Sequence, residues 1–184
     1  MGQNYMNTKK VNPLTIQSKQ WLLDALLQLM KEKTYNEITI KELTARANLD
    51  RKTFYRHFKT KDDILELPSK EIFDKYVEKL ESLPQLTSHE VLKTYFHLCL
   101  QHIDFFKLLQ THNLQMVILI KLSEYLPMLN DMFLDKQIYS KKSIWELTYE
   151  AGGLWNITIL WIRNGAKETP DEMARIVNSI SSPI

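Results

Sequence analysis

Between residues 51 and 61 the chain sets out Arg51, Lys52, Thr53, Tyr55, Arg56, His57, Lys59 and Lys61. These side chains suit contact chemistry rather than bond breaking. Guanidinium and ammonium groups donate to phosphate oxygens or to guanine edges, while hydroxyl, phenol and imidazole groups hold a sugar–phosphate backbone. The charge is concentrated here: residues 39–61 hold 7 basic against 2 acidic side chains, although the whole chain carries only +2. Residues 1–67 have 12 Lys/Arg against 8 Asp/Glu, and residues 68–184 have 12 against 14. Such a local excess fits a phosphate-binding footprint; a solvated basic face is the plainer reading of the same run.

The surrounding sequence decides how these groups are displayed. Thr39 and Glu42 form a Thr-x-x-Glu capping box that starts a helix at Ile40. Asn48-Leu49-Asp50 interrupts that helix, and Asp50 is a good N-cap for a second one beginning at Arg51. Phe54 and Phe58 are four apart and share one face. With Leu43, Ala47 and Leu49 they supply the apolar side, so Arg51, Lys52, Tyr55 and Arg56 cannot all turn inward. A helix-turn-helix showing cations and an aromatic on its second helix suits a DNA major groove.

The rest of the chain reads as all-α. Trp21, Leu22, Ala25, Leu26, Leu29 and Met30 recur at helical steps and predict an amphipathic first helix over about 16–33. Residues 1–14 read as a flexible arm in which Lys9 and Lys10 either touch DNA or are simply solvated. Thr60 to Asp63 opens a fourth helix, and Pro68 is expected to kink or break it near Leu67. The domains expected are therefore the arm, a helix-turn-helix domain over 15–67 with its motif at 39–58, and a helical regulatory and dimerisation domain over 68–184. In the latter, helices are expected from Ser88 through Leu100, from Phe105 to His112 and from Met116 until Pro127 disturbs it. A long helix follows from Ser140 or Lys141 to Asn164, closed by Gly165, and Thr169-Pro170-Asp171-Glu172 opens the last one.

Several function classes are excluded. The five histidines lack metal-ligand spacing, and His97 and His102 are five apart. The four glycines build no phosphate loop, and no serine sits in a Gly-x-Ser-x-Gly setting. No catalytic residue, metal or cofactor is expected. Cys99, the single cysteine, forms no internal disulfide and reads as a buried small hydrophobe. The polar first 11 residues do not form a signal peptide, and the run from Gly152 to Ile162 is far shorter than the ~20 residues needed to span a bilayer. A cytoplasmic protein without membrane contact is expected.

Tyr35-Asn-Glu-Ile-Thr39, Ile40-Lys-Glu-Leu43, Thr53-Phe-Tyr-Arg-His-Phe58 and Lys61-Asp-Asp-Ile-Leu65 stand at the spacing of a known DNA-binding module. On these motifs the N-terminal 65 or so residues resemble TetR-type transcriptional regulators. Gly152-Gly153-Leu154 through Trp161, Asn164-Gly165 and residues 169–172 resemble the C-terminal end of one branch of that family. Lys52 stands where the family often has glycine and Lys59 where it often has proline, and both add positive charge.

The resemblance implies a homodimeric, all-helical repressor on a palindromic double-stranded operator. Carried over residue by residue, Thr39 would touch phosphate, and Arg51, Lys52 and Thr53 would face base edges. Tyr55 and His57 would hold the DNA backbone, and Lys61 would bind a phosphate. His57 has a second reading as a structural histidine between helices. The C-terminal domain would hold a small apolar or aromatic effector between helices of residues 88–162. An activator or co-regulator controlled by a partner protein is the alternative. The stripe Ile144, Leu147, Ala151, Ile159, Ile162, Met173 and Val177 is the expected dimer face. The helical pair Gly152-Gly153 implies either close approach of another backbone or a ligand, or a local kink.

Overall fold

The computed structural model describes residues 12–133 and 142–181. Among them are nine α-helices and one 3₁₀ turn, with no strand. The chain divides into two compact units, one ending at Leu67 and one beginning at Pro68.

In the N-terminal unit, α1 spans Pro13–Glu32. It begins three residues earlier than its apolar pattern predicts, because Asn12 caps it through its side chain and Pro13 takes the first turn, where a missing N–H costs nothing. The rest of the expected arm, residues 1–11, lies outside the described residues. A 3₁₀ turn, Tyr35–Glu37, leads to α2 (Ile40–Arg46), and α3 follows as Arg51–His57. The expected capping chemistry is present. Thr39 Oγ1 accepts from the Glu42 amide at 3.2 Å while Glu42 accepts from the Thr39 amide at 3.0 Å. Asp50 takes the Thr53 amide. The turn between α2 and α3 needs a left-handed residue, and Asn48 supplies it with φ 53°.

Seven-residue helices are not stable alone. α2 and α3 pack against α1 and each other over a shared core that includes Leu22, Leu26, Leu43 and Phe54, all fully buried. Phe58 closes its edge, its ring 6.0 Å from that of Phe54.

α4 runs from Asp62 to Ser82 without interruption. The expected break at Pro68 does not occur: the helix continues through it, with the proline inside. In the C-terminal unit, α5 (Ser88–Gln101) is capped by Thr87, and His102 separates it from α6 (Ile103–Thr111). α7 (Gln115–Phe133) likewise continues through Pro127. α8 (Ile144–Arg163) starts at a Ser143–Glu146 capping box, later than expected; residues 134–141 lie outside the described part. It ends where Gly165 adopts φ 91°. α9 (Pro170–Ser181) opens on the expected Thr169–Glu172 pair. α5 packs on α9 and α7 on α8.

The expected dimer stripe needs correction. Leu147, Ala151, Ile162, Met173 and Val177 are buried inside the unit. Of the expected stripe Ile144 does stay exposed, and with it outside on α8 are Trp145 (80% exposed), Tyr149 (82%) and Leu160, joined on α9 by Ile176 and Ile180. α8 is apolar on both sides, so periodicity alone marked the stripe that fills the core. Gly152 and Gly153 fall on the outer stripe, and an added Cβ at either would meet nothing within 4 Å. Close approach of another backbone within the described chain therefore does not explain them.

Removing the ring that seats α3 should be severe. Phe54→Ala is expected to cost about 3–5 kcal/mol, read as a lower urea midpoint for the N-terminal unit. A cost below about 1 kcal/mol would mean that α3 is not anchored there.

Candidate nucleic-acid interface

The candidate surface is the outer side of α3. With Phe54 inward, Arg51, Lys52, Tyr55 and Arg56 are exposed and Thr53 and His57 lie at the margins. Tyr55 is 53% exposed, its ring edge-on to that of Phe54 at 5.2 Å. The side chains of Arg51, Lys52 and Lys59 make no hydrogen bond or ion pair among the described residues. Arg56 reaches only the Thr53 hydroxyl, at 3.5 Å. Leaving several cations unpaired on one short helix is electrostatically unfavourable unless an anion is to come.

Other cations nearby are already occupied. Arg46 forms a two-pronged pair with Glu32, at 2.7 and 2.8 Å. Lys33 pairs with Glu42, whose carboxyl is held down to about 2 by that contact and by Thr39. These partners across α1 could not be seen without the fold.

Two of the expected DNA-binding residues are also occupied. The Thr39 hydroxyl donates to the Glu42 carboxylate at 2.8 Å. The Lys61 ammonium donates to the carbonyls of Ile38 (3.0 Å) and Tyr35, and lies 4.2 Å from the Tyr35 ring centroid. The phenol of Tyr35 donates to Asp62, and burial together with that carboxylate raises the phenol above its usual range. Burial also lowers the Lys61 ammonium. Tyr35, Lys61 and Asp62 thus latch the start of α4 onto the turn before α2. The sequence signals for this latch were an aromatic and a lysine 26 residues apart, which no local pattern connects. His57, by contrast, meets α1: its Nε2 is 2.9 Å from Ser18 Oγ.

The structure thus brings Arg51, Lys52, Thr53, Tyr55 and His57 onto one helix and directs Thr39 and Lys61 toward partners within the unit. Among the described residues, no cluster of His, Cys, Asp and Glu could hold a metal, and no helix is long and apolar enough to cross a membrane.

Residues 22–67 match the family model of the bacterial regulatory proteins of the tetR family. The whole chain shares its fold with solved structures of low sequence identity. Lin0861 from Listeria innocua superposes with a TM-score of 0.79 at 16% identity, over 98% of this chain and 94% of that one. The fatty acid degradation regulator FadR from Bacillus halodurans gives 0.61 at 18% identity, over 94% and 96%. The transcriptional regulator FadR from Bacillus subtilis, in complex with stearoyl-CoA, gives 0.50 at 18% identity, over 88% and 96%. No curated protein matches the sequence. The helix-turn-helix unit is a TetR-family domain.

If the latch holds the unit together, Lys61→Ala should lower its stability by about 1–3 kcal/mol, the cost of stranding two carbonyl acceptors, as read by urea unfolding. Unchanged stability with a shallower salt dependence of DNA binding would instead make Lys61 a phosphate contact.

Proposed function

We propose that this chain is a dimeric, sequence-specific DNA-binding repressor, released from its operator by a small apolar or aromatic ligand. The observation that carries the DNA-binding part is the unpaired cationic face of α3 above a buried Phe54. In this reading Arg51 and Lys52, at the N-terminal end of α3, donate to guanine O6 and N7. Thr53 and Tyr55 touch base edges and backbone, and His57 meets a phosphate. Thr39 and Lys61 act one step back, by fixing α2 and α4 around the reading helix.

A seven-residue helix reads few base pairs, so useful specificity needs two of them on a twofold axis. The exposed stripe of Trp145, Tyr149, Gly152, Gly153 and Leu160, with Ile176 and Ile180 on α9, supports self-association through α8 and α9. The two glycines would let the paired helices approach closely. Four helices packed this way would bury an apolar area that water otherwise touches.

Release would act through the cavity of about 80 Å³ in the C-terminal unit. Phe73, Tyr76, Tyr95, Phe106, Tyr125 and Trp155 are among its walls. Its polar groups have partners: Tyr76 donates to the Val91 carbonyl at 3.0 Å, Tyr95 meets Thr158 at 3.0 Å, and Lys121, the charged residue of the wall, pairs with Glu124 at 2.9 Å. Burial pushes the Cys99 thiol up to about 12. Such walls favour an apolar or aromatic ligand over an ion. The stearoyl-CoA complex of a structural neighbour agrees in character with an apolar guest. α4 contributes Phe73 and Tyr76 to this cavity, and its first turn carries the Lys61 latch, so a ligand pressing on α4 has a covalent route to the reading domain.

Selection from random duplex DNA tests the reading. The expected product is a palindrome with half-sites about one helical turn or more apart, ~34–36 Å. Arg51→Ala should cost about 1–3 kcal/mol on that site. No enrichment, or a variant that binds like the parent, would overturn the assignment. Tyr149→Lys should shift a dimer toward monomer in light scattering at micromolar concentration; a parent that is already monomeric would refute the twofold arrangement.

A further inference from the structure

The pairing of His57 with Ser18 carries information about protons. Ser18 lies on α1 and is 4% exposed. Its hydroxyl has one hydrogen, and that hydrogen is placed on the Thr15 carbonyl at 3.1 Å. The serine oxygen can then only accept from His57 Nε2, 2.9 Å away. With the serine hydrogen on the Thr15 carbonyl, the imidazole donates from Nε2; Nδ1 makes no hydrogen bond among the described residues. The same contact survives protonation, since an imidazolium still donates from Nε2. A serine that donated to Nε2 instead would lose its bond when the ring took a second proton.

Among the described residues no anion acts on this ring. The charged groups acting on it are Arg56 on its own helix and Lys19 on α1, and both are cations. Lys19 itself sits 5.7 Å from the Phe58 ring centroid. Burial first, then these two cations, keep the imidazole below its ordinary range. The missing counter-charge is what a DNA phosphate provides.

We propose that Ser18 is a positioning residue that makes His57 a proton-linked DNA contact: its oxygen takes the Nε2 proton in both charge states, leaving Nδ1 to gain a proton when a phosphate arrives. This rests on the DNA-binding reading of α3. The sign follows from linkage. The free imidazole has the lower affinity for a proton and the DNA-bound one the higher, so binding takes up protons. DNA affinity then rises as pH falls through the bound-state value and levels off below the free-state value. Each unit between the two is worth about tenfold in affinity per His57.

The test is binding of the full chain to a labelled duplex from the random selection, by anisotropy at fixed ionic strength between about pH 5.5 and 8.5, around the ordinary histidine value of about 6.5. The parent and Ser18→Thr should bind more tightly at low pH, by up to about tenfold per unit of proton-affinity shift. Ser18→Ala should lose most of that slope, and His57→Gln all of it. Helix content by circular dichroism separates these effects from misfolding. Long-range nitrogen NMR of the free protein gives a readout that needs no DNA: the His57 signal should be of the Nε2–H form in the parent and become mixed in Ser18→Ala. No DNA binding at any pH overturns the regulatory reading and this inference with it. DNA binding with the same pH slope in the parent and His57→Gln, or an Nδ1–H signal in the parent, overturns this inference alone.

Discussion

The N-terminal unit depends on one constraint: α3 is too short to exist without its apolar side buried. Phe54 is fully removed from solvent and Phe58 nearly so. Once those two rings are fixed, the helical repeat leaves Arg51, Lys52, Tyr55 and Arg56 no place but the surface. The orientation of the cationic face is thus a consequence of hydrophobic packing. The cations themselves contribute little to holding the helix and repel one another. Burial of a Phe-sized side chain is worth about 1.5–3 kcal/mol, whereas like charges at helical spacing oppose folding by a few tenths each. The apolar term wins by a wide margin, and the unfavourable charge is retained on the outside, where an anion can use it.

The same unit spends its remaining polar groups on rigidity. Glu32 takes Arg46, Glu42 takes Lys33 and Thr39, Asp63 takes the amides of Lys59 and Thr60, and Asp62 takes the Tyr35 phenol. Most of these pairs are exposed, and each is worth little by itself. Together they divide the cations into two groups: Lys33, Arg46 and Lys61, which brace the domain, and Arg51, Lys52 and Lys59, whose side chains make no hydrogen bond or ion pair among the described residues. This division, more than the net charge, distinguishes a recognition face from a generally basic surface.

Local chemistry was legible in the sequence, and long-range partnership was not. The caps at Thr39, Asp50 and Thr169 were readable because a cap needs residues only three apart. The inward Phe54 and outward Arg51 followed from helical spacing. The Tyr35–Lys61 and Ser18–His57 contacts join positions 26 and 39 residues apart, and nothing in the spacing announces them. Pro68 and Pro127 misled in the opposite sense: Pro68 is expected to kink or break its helix and Pro127 to disturb its own, yet both helices continue, since packing outweighs a local penalty of about 3 kcal/mol. On α8 the apolar content on both sides left the sequence unable to say which stripe was core, and the structure assigns Leu147, Ala151 and Ile162 to the interior.

The central claim is that the unpaired face of α3 meets a polyanion. The salt dependence of duplex binding measures this most directly. The logarithm of the association constant should fall linearly with the logarithm of salt concentration, by about 0.9 for each phosphate neutralised, and the Arg51→Ala and Lys52→Ala chains should each give a slope shallower by about one. A binding constant indifferent to salt, or slopes unchanged in both variants, would contradict the account.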